Sequence, residues 1–253
     1  MTQHFRRIRS FVRREGRLTK GQQRALDELY PVYGLKLDDH QQIDFDLLFA
    51  NDHSVHIEIG FGNGQALTHM AAEHLDQNYL GIEVHRPGVG NALLQVEQQD
   101  LKNVRVIAED AVEVLNDHIP DDSVSAVYIF FADPWHKKRH HKRRLIQVEF
   151  VKMLLTKLKS EGLLHFATDW QGYAEHMLEV VKQIPTLENL AGENQFSDRP
   201  DYRPITKFER RGLRLGHGVW DLLLQKKVDR GPSPLLQKIG TVLSTSVLNI
   251  EKK

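Results

Sequence analysis

The sequence predicts an α/β fold: a parallel, doubly wound sheet with helices on both faces, finished by an antiparallel hairpin strand. Three observations predict it. Between residues 55 and 184, short apolar runs of period two alternate with runs of helical period, the rhythm of linked βα units. The clearest unit comes first: Val55, Ile57 and Ile59 alternate with polar residues, Gly60, Gly62 and Gly64 follow, and Ala66, Leu67, Met70, Ala71 and Leu75 open a helix-period run. Finally, stretches at 205–210 and 219–225 flank Gly212 and a Leu-Gly-His-Gly turn, which reads as the hairpin.

In chain order, residues 1–30 are expected to be a basic arm, residues 31–227 the folded domain and residues 228–253 an extension with no assigned role. The arm sets Phe5 and Phe11 among arginines without a strong helical stripe. It is expected to be extended or loosely helical and to close at Tyr30-Pro31. A short apolar run at 45–50 precedes the first strand. Then follow a strand at 78–83, a helix at 87–99 with proline at its start, a strand at 104–108 and a short helix at 111–118. A strand at 124–131 leads to a helix at 143–158 and a strand at 163–168. The helix at 173–183 shows Ala174, Met177, Val181 and Ile184 at helical spacing. There is no internal repeat.

A chain of 253 residues that is 40% hydrophobic can bury the core of one domain. No apolar run approaches a membrane span, and the basic N-terminus lacks the apolar segment of a signal peptide. The absence of cysteine excludes disulfides and thiolate chemistry, so a cytoplasmic location is expected; the protein is further expected to act as a monomer without membrane association. Net charge is zero but unevenly placed. Residues 1–24 carry eight Lys or Arg against Glu15, a net +7, and residues 136–144 carry six cations and no acid, leaving −13 (0 − 7 − 6) elsewhere. Two basic patches on an otherwise acidic chain point to a polyanionic partner.

The glycine spacing narrows the ligand. A nicotinamide fingerprint is Gly-x-Gly-x-x-Gly, whereas here the third glycine comes two residues after the second and Glu58 stands two before the first. Glu-x-Gly-x-Gly-x-Gly resembles the cofactor loop of class I methyltransferases that use S-adenosylmethionine. An acid beside the loop suits that ligand's cationic sulfonium and ammonium. In such a sheet ligands sit beyond the carboxyl ends of the strands, so acids there are informative. Glu83 ends the second strand, where it can bind ribose hydroxyls. Asp110 follows the third, where it can accept from an adenine amino group or cap the next helix.

The fourth strand ends in Asp133-Pro-Trp-His-Lys-Lys-Arg-His-His-Lys-Arg-Arg144, an acid followed by Pro-aromatic and then a basic run. Trp135 reads equally as a core residue or a base-stacking one. His136, His140 and His141 lack companion acids among six cations, so no metal is expected. With Gly81-Ile-Glu-Val-His-Arg86, Thr168-Asp-Trp170, Thr206-Lys-Phe-Glu-Arg-Arg-Gly212 and Gly216-His-Gly-Val-Trp-Asp221, the chain from its basic N-terminus to about residue 227 resembles the bacterial tRNA (guanine-N7)-methyltransferase family.

The resemblance implies the class I S-adenosylmethionine-dependent, Rossmann-like fold, with S-adenosylmethionine as cofactor and tRNA as partner, methylated at N7 of a guanosine in the variable loop. It implies that Glu58, Gly60, Gly62, Gly64, Glu83, Asp110 and Asp133 bind the cofactor and that Asp133 is catalytic. It further implies that Lys137, Asp169, Thr206, Lys207, Phe208 and Glu209 bind the substrate, with Arg139, His140, His141, Lys142, Arg143 and Arg144 facing RNA. Two features depart from the family: Ala132 stands where a second proline is expected before the acid, and residues from 228 onward pass its usual end. Two other readings remain: an amino-directed RNA methyltransferase, whose loop would have proline where Trp135 stands, and a non-catalytic RNA-binding protein that keeps the fold.

Overall fold

The computed structural model describes residues 10, 16–38, 41–206, 209–210 and 218–228. Residues 1–9 and 11–15 of the arm, Lys207, Phe208, Gly212 with the following turn, and the extension from 229 lie outside the described residues.

Helix α1 (Lys20–Arg24) opens with a capping box between Thr19 and Gln22 and runs through a π-helical turn (Ala25–Leu29) into α2 (Tyr30–Tyr33). The end of the arm is therefore helical. Ala25, Leu26, Leu29, Tyr30 and Tyr33 form an apolar stripe on the domain core, and Pro31 sits in the first turn of α2, where its missing N–H is tolerated. After α3 (Phe45–Phe49) come β1 (Ser54–Ile59), α4 (Gln65–Glu73), β2 (Gln77–Ile82), α5 (Arg86–Gln98), β3 (Val104–Ile107) and α6 (Ala111–Asp117). The second half consists of β4 (Val124–Phe130), α7 (Val148–Lys157), β5 (Leu158–Thr168), α8 (Gln171–Lys182), β6 (Leu187–Asn189) and β7 (Trp220–Lys226).

The seven strands lie in the order β3-β2-β1-β4-β5-β7-β6, with β1 to β5 parallel and β7 antiparallel to both its neighbours. Strand order reverses between β1 and β4, which puts the ligand crevice beyond Ile59 and Phe130. One core layer packs the sheet against α3, α6, α7 and α8, and the other packs it against α4, α5 and the α1–α2 segment. The apolar runs at 79–82 in β2 and 126–130 in β4 follow from burial on both faces, whereas β1 keeps its alternation with His56 and Glu58.

Four details differ from expectation. The helix expected at 143–158 starts only at Val148, because residues 138–143 form a 3₁₀ turn. Strand β5 is longer, beginning at Leu158 and crossing a bulge where Glu161 has φ +62°. Leu75, expected in the first helical run, lies beyond the end of α4 and is exposed. The C-terminal antiparallel strand is present, but it pairs with Leu187–Asn189 and not with 205–210. Thr206 and Glu209 instead cap a helical turn: Glu209 N–H donates to Thr206 Oγ1 (3.1 Å) and Thr206 N–H to Glu209 Oε2 (3.3 Å). Thr-x-x-Glu is a capping-box sequence, which is why these residues leave the sheet.

Candidate active site

Gly60, Gly62 and Gly64 all have positive φ (+71°, +58° and +82°), the left-handed conformation that side chains resist. A Cβ on Gly64 would strike Ala92 of α5, while Gly60 and Gly62 border open space. Glu83 braces the turn, with Oε2 accepting from Gly62 N–H and Oε1 from His85 N–H, each at 2.9 Å. Beneath it, Glu58 is 2% exposed and its Oε2 has no partner. Burial first, and the nearby Glu83 charge second, push the Glu58 carboxyl up to about 8. Asp110 does cap α6, through Oδ1 to Val112 N–H at 3.0 Å, which leaves Oδ2 for a ligand.

Gly60, Glu83, Asp110 and Asp133 line one cavity of about 230 Å³ at the switch point. An orphaned buried carboxylate oxygen, glycines that leave space and acids at the ends of β2 and β3 fit a cationic nucleoside cofactor. A neighbouring cavity of about 330 Å³ shares Asp110 and Leu145 and reaches Lys142 and Arg143.

After β4 the chain turns sharply. Phe131 (φ +55°) and Trp135 (φ +46°) are both left-handed non-glycine residues, strain of a kind that clusters at functional loops. Between them the exposed Asp133 lines the crevice. Trp135 is half-buried: its Nε1–H donates to Ser10 O (3.0 Å), the Arg143 guanidinium lies 4.0 Å from its ring centre, and His140 meets it edge-on. It is thus built into the loop. Asp169 leaves the adjacent strand at the same end and is exposed, as are Lys137, Arg139 and Lys142. Among the described residues, no group of three His, Asp or Glu side chains could hold a metal ion.

Two expected RNA-contacting residues face inward. Arg144 is 4% exposed: Nε donates to Pro134 O (2.9 Å), Nη1 to Gly172 O (3.1 Å), and its guanidinium lies over Tyr173. It staples the Asp133 loop to the start of α8 and does not face RNA. Glu209 is 4% exposed with both oxygens on Arg203, so it is not free to accept from a base.

That ion pair belongs to a buried cluster the motifs did not signal. Arg203 also holds Asp221 through Nε (2.6 Å) and Nη2 (2.9 Å), and Asp221 accepts from His165 Nε2 (2.8 Å), whose Nδ1 meets Tyr202 Oη (2.9 Å). Burial alone would raise the Asp221 carboxyl; hydrogen bonds from His165 and Arg203 overcome it and hold the group below its usual range. The signal was available: His165 and Asp221 are polar residues at inward positions of otherwise apolar strands.

With a cavity at the β1–β4 switch point and an antiparallel β7 inserted beside β5, the architecture is that of a class I methyltransferase. A solved 30S ribosomal A1408 methyltransferase from an uncultured bacterium shares the fold, at TM-score 0.53 and 14% identity over 77% of this chain and 98% of that one. Residues 52–222 match a family described as "Putative methyltransferase". The tRNA (guanine-N(7)-)-methyltransferase of Hydrogenovibrio crunogenus is 54% identical over 88% of this chain and 93% of that protein; that of Serratia proteamaculans is 55% identical over the same shares. The chain belongs to the tRNA (guanine-N(7)-)-methyltransferase family.

Proposed function

We propose that this protein transfers a methyl group from S-adenosylmethionine to N7 of a guanosine in the variable loop of tRNA, acting as a cytoplasmic monomer without membrane association. The observation that carries this reading is the position of Asp133, on the rim between the cavity of Gly60, Glu83 and Asp110 and the exposed cations Lys137, Arg139 and Lys142. Similarity to relatives of that name supports the choice of nucleic acid and atom.

The bound cofactor would supply an electrophilic methyl carbon on a cationic sulfonium. Glu83 and Asp110 hold the nucleoside end and Glu58 the cationic end against the turn of Gly60, Gly62 and Gly64. Guanine N7 has a lone pair and no proton at neutral pH, so no obligatory base is needed. Asp133 acts electrostatically, stabilising the purine as it becomes cationic. Asp169 accepts from the guanine Watson–Crick edge, which selects against adenine. Lys137 binds phosphate or guanine O6, Arg139 and Lys142 bind phosphates, and His140, His141 and Arg143 line the same RNA-facing turn. Lys207 and Phe208 contact the substrate, while Thr206 and Glu209 serve through the capping box they form with each other. Residues 1–30 add a basic arm for tRNA, and 31–227 form the catalytic domain.

The test is to incubate purified protein with labelled S-adenosylmethionine and unmodified tRNA, digest the product and identify the nucleoside. Labelled 7-methylguanosine is expected; a methylated adenosine or cytidine, or no label, would overturn the reading.

A further inference from the structure

Trp170 follows the proposed substrate residue Asp169 and is 43% exposed. No other Phe, Tyr or Trp among the described residues is as open to water. Its backbone, by contrast, is fixed. Trp170 N–H donates to Thr168 Oγ1 (3.2 Å), and its carbonyl accepts from Tyr173 N–H (2.9 Å) and Ala174 N–H (3.0 Å) at the start of α8. Two links tie it to the loop that carries Asp133. The His136 ring stands edge to face with the indole, 4.2 Å between centres and 72° between planes, and Arg144 bridges Pro134 and Gly172. Its chain neighbour Asp169 is exposed, as are His136 and the Lys137 that follows it.

A large aromatic surface open to water, carried on a fixed backbone and touching the loop that bears Asp133 and its run of cations, has the physical requirements of a stacking surface for a flat, anionic-backbone ligand. Trp135 cannot supply one, since Arg143 covers its ring and Ser10 takes its N–H. We propose that the indole of Trp170 is a platform on which a nucleobase of the bound tRNA stacks. The proposal rests on RNA being the substrate. The stacked base is either the target guanine or its neighbour in the chain, and both present the flat π face that stacking needs.

The experiment compares wild type with Trp170→Phe and Trp170→Leu, using unmodified tRNA and copies made abasic either at the target or at the adjacent position. Leucine keeps an apolar contact with His136 but cannot stack. Trp170→Leu is expected to lose about tenfold or more in tRNA affinity, Trp170→Phe to keep most of it, and cofactor affinity to stay unchanged in both. Quenching of indole fluorescence by tRNA should fall in Trp170→Phe. It should also fall for whichever abasic tRNA lacks the stacked base, the target or the neighbour. Equal tRNA affinity in all three proteins, quenching indifferent to both abasic sites, or loss of cofactor affinity in step with tRNA affinity would overturn the platform. Formation of 7-methylguanosine by the wild type tests the functional reading separately: methylation with Trp170→Leu behaving as wild type would sink this inference alone.

Discussion

Arg203 and Glu209 meet as a bidentate ion pair, Nη1 to Oε2 at 2.8 Å and Nη2 to Oε1 at 2.9 Å, and both side chains are almost fully buried. Through the same guanidinium Glu209 is tied to Asp221 of β7, so the turn that begins at Thr206 is anchored to the sheet. The Arg203 guanidinium also lies 5.4 Å from the ring centre of Phe131, the residue that starts the Asp133 loop. One cation thus touches both the turn at Thr206 and the start of the Asp133 loop.

Removing that cation leaves two buried carboxylates without their partner. Arg203→Met should therefore destabilise the fold by about 3 to 5 kcal/mol, measured by denaturant unfolding. Arg203→Met with Glu209→Met should cost less than the sum of the two single variants. Additive effects would show that the pair is not a coupled unit.

Glu58 makes a pH prediction. Its carboxyl is raised from 4.5 to about 8, so the folded protein holds a proton there that the unfolded chain releases. The stability this contributes is complete below pH about 4.5 and is lost as pH rises through about 8. A cationic cofactor favours the ionised form. Binding at pH 7 should therefore release up to one proton, and affinity should rise with pH until about 8. Calorimetry in buffers of different ionisation enthalpy measures that release, and Glu58→Gln should abolish it. Equal proton release in the variant would place the ionising group elsewhere.

The doubly wound core was legible because strands buried on both faces must be apolar, and the glycine turn because only glycine tolerates its φ values. Other parts were hidden for identifiable reasons. The stripe from Ala25 to Tyr33 is interrupted in sequence by Pro31, though proline is compatible with a first helical turn. Strand β6 is only three residues long and gains its order from β7, a partner far along the chain. Arg144 looks like its basic neighbours, and nothing in its charge reveals that it turns inward to two carbonyls. Thr206 to Glu209 resembles a substrate-binding motif, yet the same spacing encodes a capping box.

The inward turn of Arg144 divides the basic run into two experimental groups. Reversing the charge of Arg139 and Lys142, both exposed, should weaken tRNA binding and lower its salt slope by about one for each phosphate no longer neutralised, with cofactor affinity unchanged. Arg144→Ala should instead lower thermal stability and disturb cofactor binding, because it frees the Asp133 loop from α8. Salt titrations of tRNA binding and melting curves separate the two. An unchanged salt slope in the Arg139 and Lys142 variant would make those side chains a solvated face.

Asp133 is the remaining case. Its carboxylate lies on the rim of the cavity, in a turn set by left-handed Phe131 and Trp135 and by Pro134, which restricts the residue before it. The turn is braced independently of that carboxylate, by Arg144 at Pro134 and by Phe131 N–H donating to Ala167 O (2.8 Å), so replacing the side chain should leave the loop in place. If Asp133 stabilises a purine that becomes cationic, Asp133→Ala should slow the chemical step by about 2 to 4 kcal/mol, the scale of a lost preorganised electrostatic partner, and should change tRNA affinity much less. Because N7 has no proton to lose, the residual rate should show no new pH dependence near neutrality, which distinguishes this role from general-base catalysis. Single-turnover methylation at saturating tRNA and cofactor measures that step. A near wild-type rate would make Asp133 a turn residue, and the electrostatic role would pass to Asp169, an exposed carboxylate at the end of the adjacent strand, since Glu209 is already committed to Arg203.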